Sequence, residues 1–243
     1  MIDEGTLEKL TSMVSRQTGV VIKAMDFWGV DKEDNGVVMI YNPKDLATMS
    51  EYAILGMMFH NAYIIKNELW RLRDYKFPKT MKRYAQQLAA LQDILENYRA
   101  EFNACNDFPQ ARRFFKASYD ENKAVRITLF DIDTTSFCEV LDRLRHEDML
   151  KKCPFALPPD PKKYKRFVED VLAVHSITLR YANEKDFDKR IPLFMEAWHI
   201  YKKYLKKEPP PQKKLKQQGL PELKPIPYRR LSDFSRSGRH KIK

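Results

Sequence analysis

Apolar positions recur along most of this chain at the three- and four-residue steps of a helix, and one short region departs from that spacing. Residues 6–17 place Leu7, Leu10, Met13 and Val14 on one face, with Gly19 as a stop signal. Two β-branched runs follow, at 20–28 and 37–41, joined by a polar link over 31–36 that ends in Asn35-Gly36. That is a hairpin signal, so residues 19–41 are predicted to hold the β-structure. From Asn42-Pro43 onward the texture is helical. Ser50 can cap a helix reaching about residue 75 that is apolar nearly all round, as the centre of a bundle is. Pro78 ends it, and the helix over 80–104 carries Met81, Tyr84, Leu88, Leu91, Leu95, Tyr98 and Phe102 in strictly alternating steps of three and four. Such a seam serves either packing within the chain or self-association of two copies through Met81, Leu88, Leu91, Leu95, Tyr98 and Phe102.

Further helices are predicted over about 109–119 after Pro109, over 136–152 behind the capping box Ser136-Phe137-Cys138-Glu139, and from the Asp160-Pro161 start. The helix from Pro161 turns Tyr164, Phe167, Val168, Val171, Leu172 and His175 inward, and a last one over 191–207 presents Phe194, Ala197, Trp198, Tyr201 and Leu205. Residues 126–131 read as a strand or a helix end, and the proline-rich stretch 153–161 reads as a stiff connector. The expected fold is mainly α. A bundle of five or six helices over 50–207 carries a small helix-plus-hairpin lobe over 1–49 and an extended arm over 208–243.

Charge sharpens the last boundary. The chain has 44 Lys and Arg against 33 Asp and Glu, a formal +11. Residues 208–243 hold ten of those cations and three of the acids, a net +7, behind the run Pro209-Pro210-Pro211. Alone, so polar a stretch buries too little surface to offset its ordering entropy. Its cations Lys213, Lys214, Lys216, Arg229, Arg230, Arg236, Arg239, Lys241 and Lys243 accompany Tyr228 and Phe234. Lys and Arg neutralise phosphates and aromatic rings stack on unpaired bases, so the arm is expected to contact nucleic acid or another anionic surface. Within the bundle, Lys162, Lys163, Lys165 and Arg166 flank Tyr164 in the first turns of a helix. Cations there oppose the helix dipole, which points to a ligand-facing patch. The cations of residues 202–207 end a helix, where the dipole itself favours them. Arg71, Arg73, Lys76, Lys79, Lys82 and Arg83 around Pro78 extend the basic set.

Other residue types narrow the chemistry. Between Gly56 and Gly219 there is no glycine, which excludes a phosphate-cradling loop, a dinucleotide fingerprint or a nucleophile elbow from the body of the chain. Cys105, Cys138 and Cys153 are widely spaced and form no C-x-x-C pair, and the five histidines form no H-x-x-x-H pair. No cofactor or metal site is therefore expected, and the thiols read as those of a reduced, intracellular protein. The acidic start and the short apolar runs predict neither a secretory signal nor a membrane span, hence a soluble chain, cytoplasmic or held within a large particle.

One motif points to catalysis. Leu129-Phe130-Asp131-Ile132-Asp133-Thr134 resembles the nucleophile motif of haloacid-dehalogenase-type phosphatases. The resemblance implies attack on phosphorus by Asp131, acid–base work by Asp133 and a shielding magnesium ion. It covers six residues, and the flanks read as helices where that family alternates strands and helices. Glu121-Asn122-Lys123 matches half of a metal-dependent nuclease site. The expectation is a non-catalytic binding or assembly protein whose body docks in a larger complex. The alternatives are a structural protein of a virus particle or ribosome-like assembly whose arm binds neighbouring subunits, and a metal-dependent phosphatase or nuclease centred on Asp131 and Asp133.

Overall fold

A computed structural model of the chain describes residues 2–33, 36–121, 137–150 and 161–205. The 208–243 arm and the 126–134 motif, with Asp131 and Asp133, lie outside those residues. The described part is mainly helical, with one small sheet.

Helix α1 (Glu4–Ser15) starts at Asp3, whose carboxylate accepts from the Thr6 amide at 2.8 Å, and turns Leu7, Thr11 and Val14 inward. Met13 was expected on that face but is 67% exposed. Three strands follow: β1 (Val21–Ala24), β2 (Gly29–Glu33) and β3 (Gly36–Tyr41), in sheet order β1-β3-β2. The hairpin joins β2 to β3, so residues 31–33 of the expected link are themselves strand, and β1 pairs with β3 in parallel. Gly36, opposite Glu33, has φ +139°, a conformation that favours glycine.

After the short α2 (Pro43–Thr48), helix α3 (Glu51–Lys66) begins at Ser50, whose hydroxyl accepts from the Ala53 amide. Glu121 fixes this cap from outside, because its two carboxylate oxygens accept from the Ser50 amide and hydroxyl. The one carboxylate of the nuclease-like triplet is thus engaged in capping a helix. Helix α3 does not run on to residue 75. Glu68, with φ +51°, takes the left-handed position after it, Glu68 N–H bonds the Ile65 carbonyl, and Leu69 N–H bonds that of Ile64 at 3.3 Å. This is a Schellman stop built without glycine. The chain then forms α4 (Trp70–Arg73), a 3-10 segment (Lys79–Tyr84) after Pro78, α5 (Ala85–Asp107) and α6 (Ala111–Glu121). Beyond them lie α7 (Phe137–Leu150), α8 (Pro161–Asn183) and α9 (Phe187–Tyr201), closed by a 3-10 turn (Lys202–Tyr204). On α8, Val171, Val174, Ile177 and Tyr181 are buried, while Leu172, expected inward, is half exposed.

Two apolar cores flank the long α5. One gathers α1, the sheet, α3, α6 and the C-terminal turns of α5; the other joins the N-terminal turns of α5 to α7, α8 and α9. The seam is spent here. Met81, Leu88, Leu91, Leu95 and Tyr98 are all buried within the chain and Phe102 is partly so. That uses the stripe internally and leaves it closed to a second copy. Between the cores runs a belt of buried charge: Glu96 with Arg99 (3.1 Å) and Tyr181, then Glu101 with Arg145 (2.8 Å), His60 (3.0 Å) and Tyr119.

Cys138 is buried and Cys105 partly so, neither of them in a disulfide, while Cys153 lies outside the described residues. Burial pushes the Cys105 thiol up to about 11, so it stays protonated at neutral and mildly alkaline pH. In a thiol-reagent assay at pH 8 the native chain is expected to keep Cys105 and Cys138 unmodified over the time a denatured sample reacts fully, with mass-mapped modification as the readout.

Candidate anion-binding surfaces

Helices α8 and α9 are joined by three residues and pack antiparallel, which brings the start of α8 beside the end of α9. The Tyr204 hydroxyl donates to Asp170 Oδ2 at 2.7 Å, with the Arg166 carbonyl oxygen 3.4 Å away. Its ring stacks on Phe137 (5.0 Å between centroids) and meets Phe167 edge-on (5.2 Å). Burial, reinforced by Asp170, raises the Tyr204 pKa, so the hydroxyl remains a donor at any working pH. This aromatic box locks together the N-terminal turns of α7 and α8 and the end of α9.

Around the box the cations point outward. Lys165, Arg166, Lys202 and Lys203 are all exposed. Lys165 lies 3.8 Å from Glu169 and Lys203 3.5 Å from Asp170. The Lys165–Glu169 pair is exposed on both sides, and Asp170 is shared with the Tyr204 hydroxyl, so the two lysines are held weakly and remain open to a competing anion. Arg166 and Lys202 form no ion pair with another described residue. Of the expected patch, Lys165 and Arg166 therefore join two cations from the end of α9. Lys162 and Lys163 sit in the first turn of α8, their side chains outside the description, and the arm residues from Lys213 to Lys243 lie beyond the described chain. What the spacing left unread is this meeting of the two basic clusters, which depends on the short α8–α9 connection and on Tyr204 crossing to Asp170.

The basic set around Pro78 divides. Arg73 pairs with Asp93 at 3.0 Å, and the Arg83 guanidinium covers the Tyr84 ring at 4.8 Å. Arg71 and Lys76 instead line an open cleft of about 790 Å³, together with Lys32 of β2, Glu68, Trp70, Asp74, Tyr75 and Phe187 at the start of α9. The Arg71 guanidinium lies 4.7 Å from the centroid of the Phe187 ring, and Lys32 Nζ lies 5.7 Å from that of Trp70. No sequence signal joins these residues, which come from three separated stretches of chain.

Among the described residues, no three His, Cys, Asp or Glu side chains gather as they would around a metal ion, and no helix is long and apolar enough to cross a membrane. No protein-family model matches the sequence, and neither the curated proteins nor the solved structures contain a match to it.

Proposed function

We propose that this chain is a non-catalytic nucleic-acid-binding protein of a larger assembly, gripping the sugar-phosphate backbone through the basic end of α8 and α9 and through the arm that follows. One observation carries the reading: the exposed cations Lys165, Arg166, Lys202 and Lys203 lie at the end of the bundle from which a segment of net +7 continues. Two basic elements joined in one chain let a polyanion leave the folded surface and follow the arm, with each neutralised phosphate releasing condensed counterion. Tyr228 and Phe234 add stacking faces among the arm's arginines.

Titrating the full chain with labelled single-stranded and duplex oligonucleotides across a salt series tests this. Binding should weaken steeply with salt. Replacing Lys213, Lys214 and Lys216 with Gln should flatten the single-strand slope of log K against log salt by about 2, at about 0.7 per phosphate contact. Absence of binding at moderate salt would overturn the reading and turn attention to an acidic protein surface in a neighbouring subunit as the arm's partner.

A further inference from the structure

The cleft at the other end of α9 opens an aromatic face to solvent, whereas the rings at the basic end pack against one another. Fifteen helical residues separate the two along α9, roughly 22 Å at 1.5 Å per residue. Trp70, Tyr75 and Phe187 give the cleft three aromatic walls, and Tyr75 is 38% exposed. Arg71, Lys76 and Lys32 bring three cations to the same opening. Glu68 and Asp74 add carboxylates, and Glu68 is only loosely tied to Arg71, at 3.4 Å between exposed atoms. Phosphate binding alone would leave both the exposed ring of Tyr75 and these acids without a role. A nucleotide uses both: its ring needs a π-face, its exocyclic amine needs an acceptor, and its phosphate needs a cation.

A buried cation behind the wall points the same way. Arg190, one turn into α9, is 2% exposed, and its Nε and Nη1 have no hydrogen-bond partner among the described residues. Its guanidinium lies 5.5 Å from the centroid of the same Phe187 ring that Arg71 covers. The positive charge behind Phe187 adds to the attraction of this wall for an anion.

We propose that the cleft receives one unpaired nucleotide of a single-stranded nucleic acid, the base lying on Tyr75 and Trp70 and the phosphate beside Arg71 and Lys76. The inference rests on the nucleic-acid reading above and narrows it, because a base held in a duplex cannot turn its face to Tyr75. The basic end then supplies affinity for any polyanion, and the cleft supplies preference for single strands.

The test compares a 20-nucleotide single strand with a 20-base-pair duplex on the full chain carrying native Tyr75, Tyr75→Ala or Tyr75→Phe. Tyr75→Ala should weaken single-strand binding about 5- to 150-fold, the span measured for loss of one base–aromatic stack, and leave duplex affinity and the salt slope unchanged. Tyr75→Phe, which keeps the ring, should restore single-strand binding. If Tyr75→Ala binds single strands as tightly as the native chain, the cleft proposal fails while the nucleic-acid reading stands. Failure of the native chain to bind either oligonucleotide removes both. A proline-rich peptide that binds in a Tyr75-dependent way, with no single-strand preference, would also overturn the proposal, since aromatic grooves accept such peptides too.

Discussion

Gly56→Ala should destabilise the chain by about 2–3 kcal/mol, although alanine is the better helix former by about 1 kcal/mol. Gly56 lies at the crossing of α3 and α6, the helix pair in most extensive contact among the described residues. A Cβ placed on it would stand 2.4 Å from the Phe114 carbonyl oxygen, 2.7 Å from that carbonyl carbon and 2.9 Å from Ser118 Oγ. The Ser118 hydroxyl can rotate away, but backbone atoms cannot. The two helices must separate by about 1 Å to restore van der Waals contact, and packing around the fully buried Phe115 and Ile54 loosens with them. Gly5→Ala is the control. Its nearest neighbour would be Asp3 Oδ1 at 3.9 Å, an ordinary contact, so that substitution should be neutral or stabilising by up to about 1 kcal/mol. Urea denaturation of the two variants checks both signs. A Gly56→Ala chain as stable as the native one would mean that α3 and α6 pack less closely than described.

The same crossing shows where the sequence could be read and where it could not. The all-round apolar character of residues 51–66 marked the central helix correctly, because a helix covered by α1, α5 and α6 has no face to leave polar. The Ser50 cap and the breaks at Pro78 and Pro109 were legible because each uses a residue type with one strong local consequence. The stop at Glu68 was not, since a left-handed position occupied by glutamate leaves no mark in composition. Likewise Arg16, with φ +57°, ends α1 where Gly19 was expected to. Among candidate site residues, Lys165 and Arg166 stand out in the sequence because cations at a helix start oppose its dipole. The cleft could not be picked out, because Lys32, Trp70 and Phe187 meet only through the tertiary fold. Nor could the charged belt. Glu96, Arg99 and Glu101 lie off the heptad seam of α5, where the pattern assigns them to solvent, and they are buried because α5 is covered on several sides.

That belt yields the second large effect. Glu101→Gln should cost about 3 kcal/mol or more, the range for removing one partner of a buried ion pair. Glu101 is 1% exposed and its Oε1 accepts from Arg145 Nη1 at 2.8 Å and from the Tyr119 hydroxyl. Arg145 is itself 6% exposed. Burial opposes its charge, but Asp142 at 2.9 Å and Glu101 more than offset this and hold its pKa above the ordinary arginine value. It therefore remains a cation at every pH at which the chain folds. A neutral residue at position 101 takes one of its carboxylate partners from that buried cation, in a layer joining α3, α5, α6 and α7. Replacing both partners with methionine should recover most of the loss, because an apolar pair asks for no compensating charge. A double-mutant cycle over Glu101 and Arg145 should thus give a coupling energy of about 2–3 kcal/mol, near the upper end for residues in contact. The exposed pair Lys116–Asp120, at 2.5 Å but nearly half solvated on both sides, should give less than about 0.5 kcal/mol in the same experiment. Equal values for the two cycles would show that the belt is hydrated and its charges screened.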